Sequence, residues 1–573
     1  MGFIFGIIKR LIKLAIYFTL FATIIVFIPN LLPYTKFTAI KLEPTQPQVG
    51  PLAPNGALNN AERLYNKKLH GPEAFQVHNG EVYTSLATGE IVKLSPGGHI
   101  TFVTQIGRPC AGLHQEHICG RPLGFVIDEK KNILYVADSY HGIWSVDLKT
   151  GKKQLLVSPT VAIDGRQPKL FNSVALDKNG ELYWTDSSSD FHLRDGVYSL
   201  VTDPSGRLFH YNAANNKSNV LLDDLWFANG VAVSFDSQFL VVSETGRFRL
   251  RKYYINGPKK GQSEVFIAGL PGVPDNLRAL PDGSGVLVGL FTTFDNDHPM
   301  IFRSMSEAPL ARKFIARLIR LIEIPFEYLN NLYPHVILEE IIHNIGNFRL
   351  TSKLQWGTSG LIQLDWNGNV VASYYNTDGT FPSISDAIVY NDKLYLGAPH
   401  NIEYIGSVPA PPALKKAFSS KLSDKDAKVP PKMSEQKIKE NPKVEEKKTP
   451  PKVEKPVVPE PKQKPQPQQQ AKPVPPKQPE VRSAPAPTEN KPKAKVEPTV
   501  KAPNVPSGGK DKNTASQPQK PVKVNPPKPP VNKPVPEQIP IKEEIPSDTI
   551  KPNKETLKVI KKDGPTEIPN PNV

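Results

Sequence analysis

A repeated two-strand pattern between about residues 71 and 408 constrains this chain more than any other feature. In each repeat, a polar or small residue opens an alternating apolar segment, and a second compact strand follows a turn rich in Asp, Asn and Gly. Such a pattern is typical of a β-hairpin. Six hairpins are predicted, at residues 73–84, 123–136, 172–184, 229–242, 275–288 and 385–396.

The spacing of these hairpins predicts the architecture. Further strands lie between them, for example at residues 142–147 and 207–211. With one insertion set aside, each repeat has roughly 45 to 50 residues, which suits four-stranded propeller blades and exceeds the repeats of leucine-rich or hexapeptide solenoids. We therefore predict an all-β, six-bladed β-propeller over residues 71–408, preceded by a linker and lead-in at residues 37–70.

The insertion, at about residues 305–348, changes the period from strand to helix. Apolar residues recur there at helical spacing, at Phe314, Ile315, Leu318, Ile319 and Ile322. This amphipathic segment either packs over the propeller face or lies on a membrane through basic residues such as Arg317 and Arg320. In both interpretations it could cover a site at the end of the channel.

The residue that opens each repeat is the strongest candidate for a functional position. Equivalent positions of successive blades surround one axis, so these residues are expected at one height around the central channel. They are Glu73, Leu123, Asn172, Asn229, Asp275 and Ser385, with Asn276 beside Asp275. Single Asn and Asp residues commonly form turns, but carboxylate and amide oxygens that converge on an axis call for a hard cation. An all-oxygen shell suits Ca²⁺ better than zinc, so we predict a Ca²⁺ site.

An uncharged apolar run at residues 14–35 is long enough to cross a hydrocarbon core of about 30 Å as a helix. Lys9, Arg10 and Lys13 precede it, whereas only Lys36 and Lys41 follow closely. Because positive charge favours the cytoplasmic side, residues 1–36 are predicted to form a cytoplasmic N-terminus and signal anchor of a single-pass type II membrane protein. The propeller would then face the endoplasmic reticulum lumen or the cell exterior. A cleaved signal peptide is the alternative, although the run is longer than usual and lacks a clear small-x-small cleavage site.

Two further features fit an oxidising compartment. Cys110 and Cys119 are the only cysteines, and there the simplest interpretation is a disulfide, with a reduced pair as the alternative. Asn216 begins an Asn-Lys-Ser sequon, which predicts a glycan at that residue.

The composition changes after residue 408. Residues 409–573 are dominated by Pro, Lys, Glu, Val, Gln, Ser and Thr, and they carry much of the basic excess behind a net charge of +16. Such a segment cannot bury enough apolar surface to offset the entropy lost on ordering, so we predict a disordered Pro/Lys-rich tail. It is either a solvated spacer or a tail that binds acidic surfaces or proteins. Nucleic-acid binding is not expected, because no aromatic residues are interleaved with the cations.

Four segments carry a resemblance to the strictosidine synthase-like family and the related paraoxonases. They are CGRPLG at 119–124, YWTDSSS at 183–189, FANGV at 227–231 and PGVPDN at 271–276. The resemblance covers residues 1–408. In paraoxonases one Glu, three Asn and one Asp hold the catalytic calcium, and the matching motifs place those roles on Glu73, Asn172, Asn229, Asp275 and Asn276. The resemblance thus implies residues that the repeat also singles out.

Three departures limit what the resemblance implies. Residues 290–293 offer no carboxylate where strictosidine synthase has its catalytic Glu, so the chain is not expected to be a true strictosidine synthase. Leu123 stands where paraoxonase carries its proposed histidine base. Ala74 and Ser173 replace acids that help to hold a second, structural calcium, so one Ca²⁺ is expected.

The leading functional hypothesis is a membrane-anchored, weak Ca²⁺-dependent hydrolase of aryl esters or lactones. The general base is unassigned: His298 and His400 follow strands that could reach the channel mouth, but no motif supports either residue. The alternative is a non-catalytic cell-surface receptor or binding scaffold with a structural calcium. Leu123 favours the scaffold, and the complete set of oxygen ligands favours the enzyme.

Overall fold

Six antiparallel sheets of four strands each form the body of the protein. The computed structural model describes residues 2–295, 297–353 and 357–419. The innermost strands of consecutive blades are neighbours all the way round, and the last blade contacts the first. This closed ring confirms the predicted six-bladed β-propeller.

The strands are numbered in chain order, and all blades but the last are continuous in sequence. The first strand of the chain, β1 (Glu62–Leu64), belongs to blade six. Blade one comprises β2 (Phe75–His78), β3 (Glu81–Ser85), β4 (Glu90–Leu94) and β5 (Ile100–Gln105). Blade two comprises β6 (Pro122–Asp128), β7 (Ile133–Asp138), β8 (Gly142–Asp147) and β9 (Lys153–Val157). Blade three comprises β10 (Phe171–Leu176), β11 (Leu182–Asp186), β12 (Gly206–Asn212) and β13 (Lys217–Leu225). Blade four comprises β14 (Ala228–Val233), β15 (Phe239–Glu244), β16 (Arg249–Tyr254) and β17 (Ser263–Ile267). Blade five comprises β18 (Gly272–Ala279), β19 (Gly285–Thr293), β20 (Ser359–Asp365) and β21 (Val370–Asn376). Blade six comprises β22 (Asp386–Tyr390), β23 (Lys393–Gly397) and β24 (Ile405–Pro409), together with β1.

The six predicted hairpins are the two innermost strands of the six blades. Their inner strands are apolar on both faces because each blade packs between two neighbours; β14, for example, is buried along its whole length. In blade three, the buried Trp184 ring stacks on Phe171 and on Phe209, with centroids 5.0 and 3.9 Å apart. These rings share one hydrophobic cluster with Ala137 and Ile143 of blade two. Packing between the blades therefore forms the core.

The ring is closed by a strand from the N-terminal side. Strand β1 pairs antiparallel with β24, with Arg63 opposite Gly406, so residues 62–64 complete blade six. The sequence places these residues in the lead-in, because three residues with exposed Glu62 and Arg63 give no alternating pattern. The end of the propeller also lies beyond the predicted residue 408. Its last described helix buries Leu414 and Ala417 in the core of blade six.

The helices lie outside the blades. They are α1 (Gly2–Phe27), α2 (Glu116–Cys119), α3 (Gly196–Val201), α4 (Ile301–Ser304), α5 (Pro309–Leu332), α6 (Val336–Gly346), α7 (Phe348–Lys353) and α8 (Pro412–Ser419). Helices α4 to α7 form the predicted insertion, which connects β19 to β20 within blade five and extends a few residues beyond 305–348. The predicted disordered tail lies outside the described residues from residue 420 onward.

Helix α1 is long and apolar enough to cross a membrane, over Phe3–Phe27. It begins and ends earlier than the apolar run at residues 14–35. Pro29 explains the end, since it has no N–H to donate and disfavours helical geometry at the residue before it. Because α1 begins at Gly2, Lys9, Arg10 and Lys13 lie on the helix itself rather than before it.

Candidate functional site

A β-bulge interrupts the innermost strand of blades two to five at the predicted axial position. The bulges lie at Leu123, Asn172, Asn229 and Asp275, where the inner strand has one residue more than its neighbour. A bulge bends its strand and re-aims the side chains beside it. The repeated bulge therefore turns one residue of each of these blades toward the same part of the channel.

Glycine allows the inner strands to approach closely beside two of these bulges. A Cβ on Gly230 would lie 2.4 Å from the backbone nitrogen of Leu277 in the next blade. A Cβ on Gly124 would lie 2.6 Å from the backbone oxygen of Asn172. Both contacts are with backbone, which cannot move aside as a flexible side chain could, so the axial residues need glycine after them to stay close together.

A buried acid fixes the chain that leads into three of the axial residues. Asp138, Asp186 and Glu244 end the second strands of blades two, three and four and accept hydrogen bonds from the backbone N–H groups of Arg121, Leu170 and Trp226, at 2.9, 3.0 and 3.0 Å. These acids were not among the residues predicted to be functional. Their recurrence at the end of the second strand of these three hairpins was the available signal.

The axial residues separate two cavities. Glu73, Asn172, Asn229 and Asp275 line a cavity of about 370 Å³, here called the axial cavity. The residues that directly follow three of them, Ala74, Ser173 and Asn276, instead line a second cavity of about 580 Å³. The structure thus brings four of the five predicted metal-binding residues into one cavity, whereas Asn276 lines the cavity on the other side.

Several oxygens in the axial cavity are buried without a hydrogen-bond partner. They are Glu73 Oε2, Asn172 Oδ1 and Asn229 Oδ1, and Asn276 Nδ2 is also unpartnered. Buried polar atoms are normally paired, so a group of such atoms is energetically costly unless a ligand satisfies them. Half a turn of the Asn276 amide would exchange its nitrogen for its oxygen. The carboxylate and amide oxygens at this position are ligands that a hard cation such as Ca²⁺ prefers.

The two carboxylates of the axial cavity are unfavourable as bare anions. Burial raises the pKa of Glu73 well above its usual value; Arg121 opposes this rise, and Asp275 adds to it. Burial raises the pKa of Asp275 to about 8, against a lowering contribution from its hydrogen bond with Asn229. Among the described residues, no three His, Cys, Asp or Glu side chains group to hold a metal ion. Any metal here must therefore use amide oxygens together with these two carboxylates.

Apolar side chains form the rest of the axial cavity. Its walls include Trp226, Phe227, Phe248, Phe291 and Phe348. Residues of the insertion, namely Met300, Ile301, Phe302, Met305 and Ile315, also line it. The insertion therefore covers the axial residues. The result is a polar floor beneath an apolar, aromatic chamber.

The two candidate bases differ in position. His400 is buried and lines the axial cavity, with its ring against Phe291 and Phe348 at centroid distances of 6.3 and 5.9 Å. Burial, and then the nearby Arg121 and Arg349, hold the pKa of His400 well below its usual value, which keeps the imidazole neutral. His298 is exposed, and its Nδ1 lies 2.9 Å from Asp295 Oδ1. Only His400 is placed to meet a ligand in the cavity.

Leu123 and Ser385 are the remaining axial residues, and neither offers a metal ligand. Leu123 lines the axial cavity as part of its apolar wall. Leu123 is buried against Leu170, Leu193 and Phe227. The Ser385 hydroxyl lies 3.0 Å from the backbone oxygens of both Glu73 and Gly397, to which it can donate. Ser385 therefore helps to position the backbone of Glu73.

Cys110 and Cys119 form a disulfide, and the loop that it closes attaches the insertion to the propeller. Within this loop, Glu116 Oε1 accepts hydrogen bonds from Tyr140 at 2.7 Å and from Asn347 at 2.9 Å, and it lies 3.2 Å from His343 Nε2. Burial raises the pKa of Glu116, but His343 and Arg121 more than offset this, so the net pKa is lowered.

Asn216 lies in the exposed turn between β12 and β13, where its Oδ1 accepts a hydrogen bond from Tyr211 at 2.9 Å. The turn leaves the asparagine accessible from solvent. Glycosylation of Asn216 stays a prediction.

Comparisons with known proteins show which family the chain resembles in sequence. A family model described as strictosidine synthase matches residues 172–258, and one described as strictosidine synthase-like, N-terminal, matches residues 50–94. The adipocyte plasma membrane-associated protein hemomucin of Drosophila melanogaster is 42% identical over 419 residues, covering 72% of this chain and 71% of that protein. The adipocyte plasma membrane-associated protein of Gallus gallus is 33% identical over 355 residues, covering 61% of this chain and 78% of that protein.

Among solved structures, a gluconolactonase from Xanthomonas campestris is similar, with a TM-score of 0.39 and 14% identity, over 66% of this chain and 99% of that one. The sequence relatives are much closer, and the match to hemomucin extends over most of both chains. The chain therefore belongs to the strictosidine synthase-like family that includes adipocyte plasma membrane-associated protein and hemomucin.

Proposed function

We propose that this protein is a membrane-anchored, Ca²⁺-dependent hydrolase of aryl esters or lactones. The observation that carries the proposal is the group of unpartnered buried oxygens on Glu73, Asn172 and Asn229 beside buried Asp275, at the floor of a cavity with mainly apolar walls. A polar floor under aromatic walls suits a small ligand with one reactive polar group and an apolar body.

Glu73, Asn172, Asn229 and Asp275 would hold the ion, with Asn276 as a fifth ligand after rotation of its amide. When bound, Ca²⁺ supplies Lewis-acid polarisation of a carbonyl and stabilises negative charge that develops on its oxygen. The axial residues are held by the bulged inner strands and by backbone hydrogen bonds to buried acids, so their oxygens are fixed before a ligand arrives. Such preorganisation is the main requirement for electrostatic stabilisation of a transition state.

The other residues of the cavity have separate roles in the proposal. Phe227, Phe291 and Phe348 bind the aromatic or alkyl part of the substrate and exclude water. His400, kept neutral by its surroundings, accepts the proton of the attacking water and returns it to the leaving alcohol. This assigns the general base that the sequence left open.

Hydrolysis of phenyl acetate and of a small lactone by the purified full-length protein tests the proposal. Turnover should require Ca²⁺, disappear with a chelator and return when Ca²⁺ is restored. An unchanged rate in the chelator, or no turnover above buffer in any Ca²⁺ concentration, would contradict it.

A binding scaffold without turnover is the second candidate function. Leu123 favours it, because an apolar side chain packed in the core stands at one axial position and supplies no acid or base. In that case Ca²⁺ would act as a structural ligand that raises the melting temperature, and the hydrolysis assay would stay at background.

We also propose a type II orientation, with α1 as the anchor and the propeller in the lumen of the endoplasmic reticulum or outside the cell. Lys9, Arg10 and Lys13 lie toward the N-terminal part of α1 and favour the cytoplasm. The disulfide between Cys110 and Cys119 supports an oxidising compartment for the propeller.

A further inference from the structure

Helix α5 has its charged side turned toward the protein. Arg312 and Glu323 are each only 1% exposed. Arg312 donates to the backbone oxygen of Thr202 at 3.0 Å and to Asp203 at 3.1 Å, while Glu323 Oε2 accepts from the Tyr198 hydroxyl at 3.0 Å. These contacts bind α5 to α3 and to the segment that follows it.

The opposite side of α5 is apolar and exposed. Leu310, Tyr328 and Leu332 are 60%, 64% and 54% exposed. Phe314 and Leu321 fall between them at helical spacing, so the five residues form one stripe. A surface helix of a soluble protein normally exposes its polar side, so this exposed apolar stripe is unusual. Helix α5 also packs Ile315 and Ala316 against the protein on its inward side. Exposed Tyr333, Val336 and Ile337 continue the apolar surface into α6. Contiguous patches of this kind mark protein or membrane contacts.

This stripe borders on helix α1. The Phe314 ring makes edge contacts with Phe18 and Phe21, at centroid distances of 6.0 and 6.2 Å. The Arg317 guanidinium donates to the backbone oxygens of Val26 and Ile28 at 2.8 and 2.9 Å, near the end of α1. Those oxygens have no partner within the helix, so Arg317 both caps α1 and fixes α5 against it. The exposed side of α5 is thus continuous with the apolar surface of α1.

We propose that α5 and the start of α6, through the stripe from Leu310 to Leu332 together with Val336 and Ile337, lie in the lipid bilayer that α1 enters. The occupant is lipid, because the stripe adjoins a helix able to cross a membrane and because exposed Tyr328 and Tyr333 suit the interface between headgroups and acyl chains. The contact is apolar. The basic residues Arg317 and Arg320, which the sequence suggested for membrane binding, are instead engaged within the protein, as is Arg312.

The proposal rests on α1 being a membrane helix and is independent of hydrolase activity. It is tested on the full chain in phosphatidylcholine vesicles, with single cysteines introduced by Leu310→Cys, Tyr328→Cys and Leu332→Cys and labelled with an environment-sensitive fluorophore. Cys110 and Cys119 do not react while they are disulfide-bonded. Phe102→Cys and Val371→Cys are matched controls, because both are exposed apolar residues on outer strands of blades.

The labels on α5 should be blue-shifted, and they should lose most of their emission when the vesicles contain brominated lipid. The two control labels should be quenched by iodide in the buffer and unaffected by bromine. Bromine quenching at Leu310, Tyr328 and Leu332 no greater than at Phe102 would overturn the proposal. Protection of the α5 labels from iodide without quenching by bromine would also overturn it and would point to a second copy of the chain.

The three positions provide a check on folding. Each side chain is exposed, so its replacement should leave the melting temperature unchanged. Three variants that all keep the wild-type melting temperature but show no lipid contact would contradict the proposal, rather than reflect a damaged fold.

Discussion

The side-chain amide of Asn229 in blade four lies beside the carboxylate of Asp275 in blade five at the channel axis, and its polar hydrogens lower the pKa of that acid. The Oδ1 of the same Asn229 is buried without a partner. The amide nitrogen of Asn229 therefore faces the Asp275 carboxylate, while its amide oxygen is free to coordinate a cation. Asn229→Asp would place a second carboxylate against Asp275 and lose this donor.

Ca²⁺ binding should become stronger as the pH rises. The pKa of Asp275 is raised from 3.8 to about 8, so without metal its protonated form stabilises the fold below pH 3.8, and this stability is lost as the pH rises through about 8. Ca²⁺ binds the ionised carboxylate of Asp275 and must displace this proton, so a higher pH favours binding. The increase in melting temperature on adding Ca²⁺ should therefore grow between about pH 5 and about pH 8. A shift independent of pH would contradict this assignment of Asp275.

Substitution of the proposed base should affect turnover more than metal binding. His400→Gln should lower kcat by about a hundredfold or more, the usual contribution of a positioned base. Ca²⁺-dependent stabilisation should persist, because His400 is not among the proposed ligands. His298→Gln is the control, since that histidine is exposed beside Asp295. Equal losses in both variants would exclude a specific role for His400.

The pH profile of turnover offers an independent test of the same residue. The pKa of His400 is held well below its usual value, so its neutral form persists in mildly acidic solution. At saturating Ca²⁺, the acidic limb of the plot of kcat against pH should have its midpoint below pH 6.5, the ordinary pKa of histidine. A limb at or above that value would indicate a different base.

The disulfide should stabilise the fold and hold the insertion in place. Cys110 and Cys119 are 9 residues apart, and closing a loop of that size is worth about 2.5 kcal/mol in the chain-entropy model. The double change Cys110→Ser, Cys119→Ser should lower the free energy of unfolding by about this amount. Chemical denaturation measures it, with reduced wild type as the comparison. No loss of stability would contradict this prediction and would mean that the contacts of Glu116 hold the insertion without the disulfide.

The proposed orientation predicts protection of the propeller in sealed microsomes. Protease added outside should leave the propeller intact, and detergent should make it accessible. A glycan on Asn216, released by endoglycosidase, would agree with the same topology. Digestion of the propeller in sealed vesicles would reverse the assignment.

The sequence predicted the blades because each hairpin is a local signal, with alternating apolar residues around a turn. It could not predict the closure of blade six, since β1 has three residues and pairs with β24 more than 300 positions away. It predicted Asp275 and Asn276 as ligands of one ion because they are adjacent, but it could not show that the two residues line different cavities. The side chain that faces each cavity depends on the bulge, which is set by the register of two strands.

Helix α5 shows a different limit of sequence analysis. Its helical spacing is evident from the sequence, but the same spacing fits a helix with either side turned inward. The charged side is buried because Asp203 and Tyr198, more than 100 residues earlier, offer it partners. Such partners can be identified only once the chain is folded.

The most direct test of the account is whether Ca²⁺ binds the axial residues. Titration of the chelated full-length protein with Ca²⁺ should show binding and a rise in melting temperature, as expected for a ligand of the native state. Asp275→Asn, which keeps the shape of the side chain and removes its charge, should weaken binding by roughly tenfold or more, or at least about 1.4 kcal/mol. Asp223→Asn, on the exposed outer strand of blade three, should bind as wild type does. Wild-type protein that neither binds Ca²⁺ nor gains stability from it, or an Asp275→Asn variant with wild-type affinity, would contradict the account.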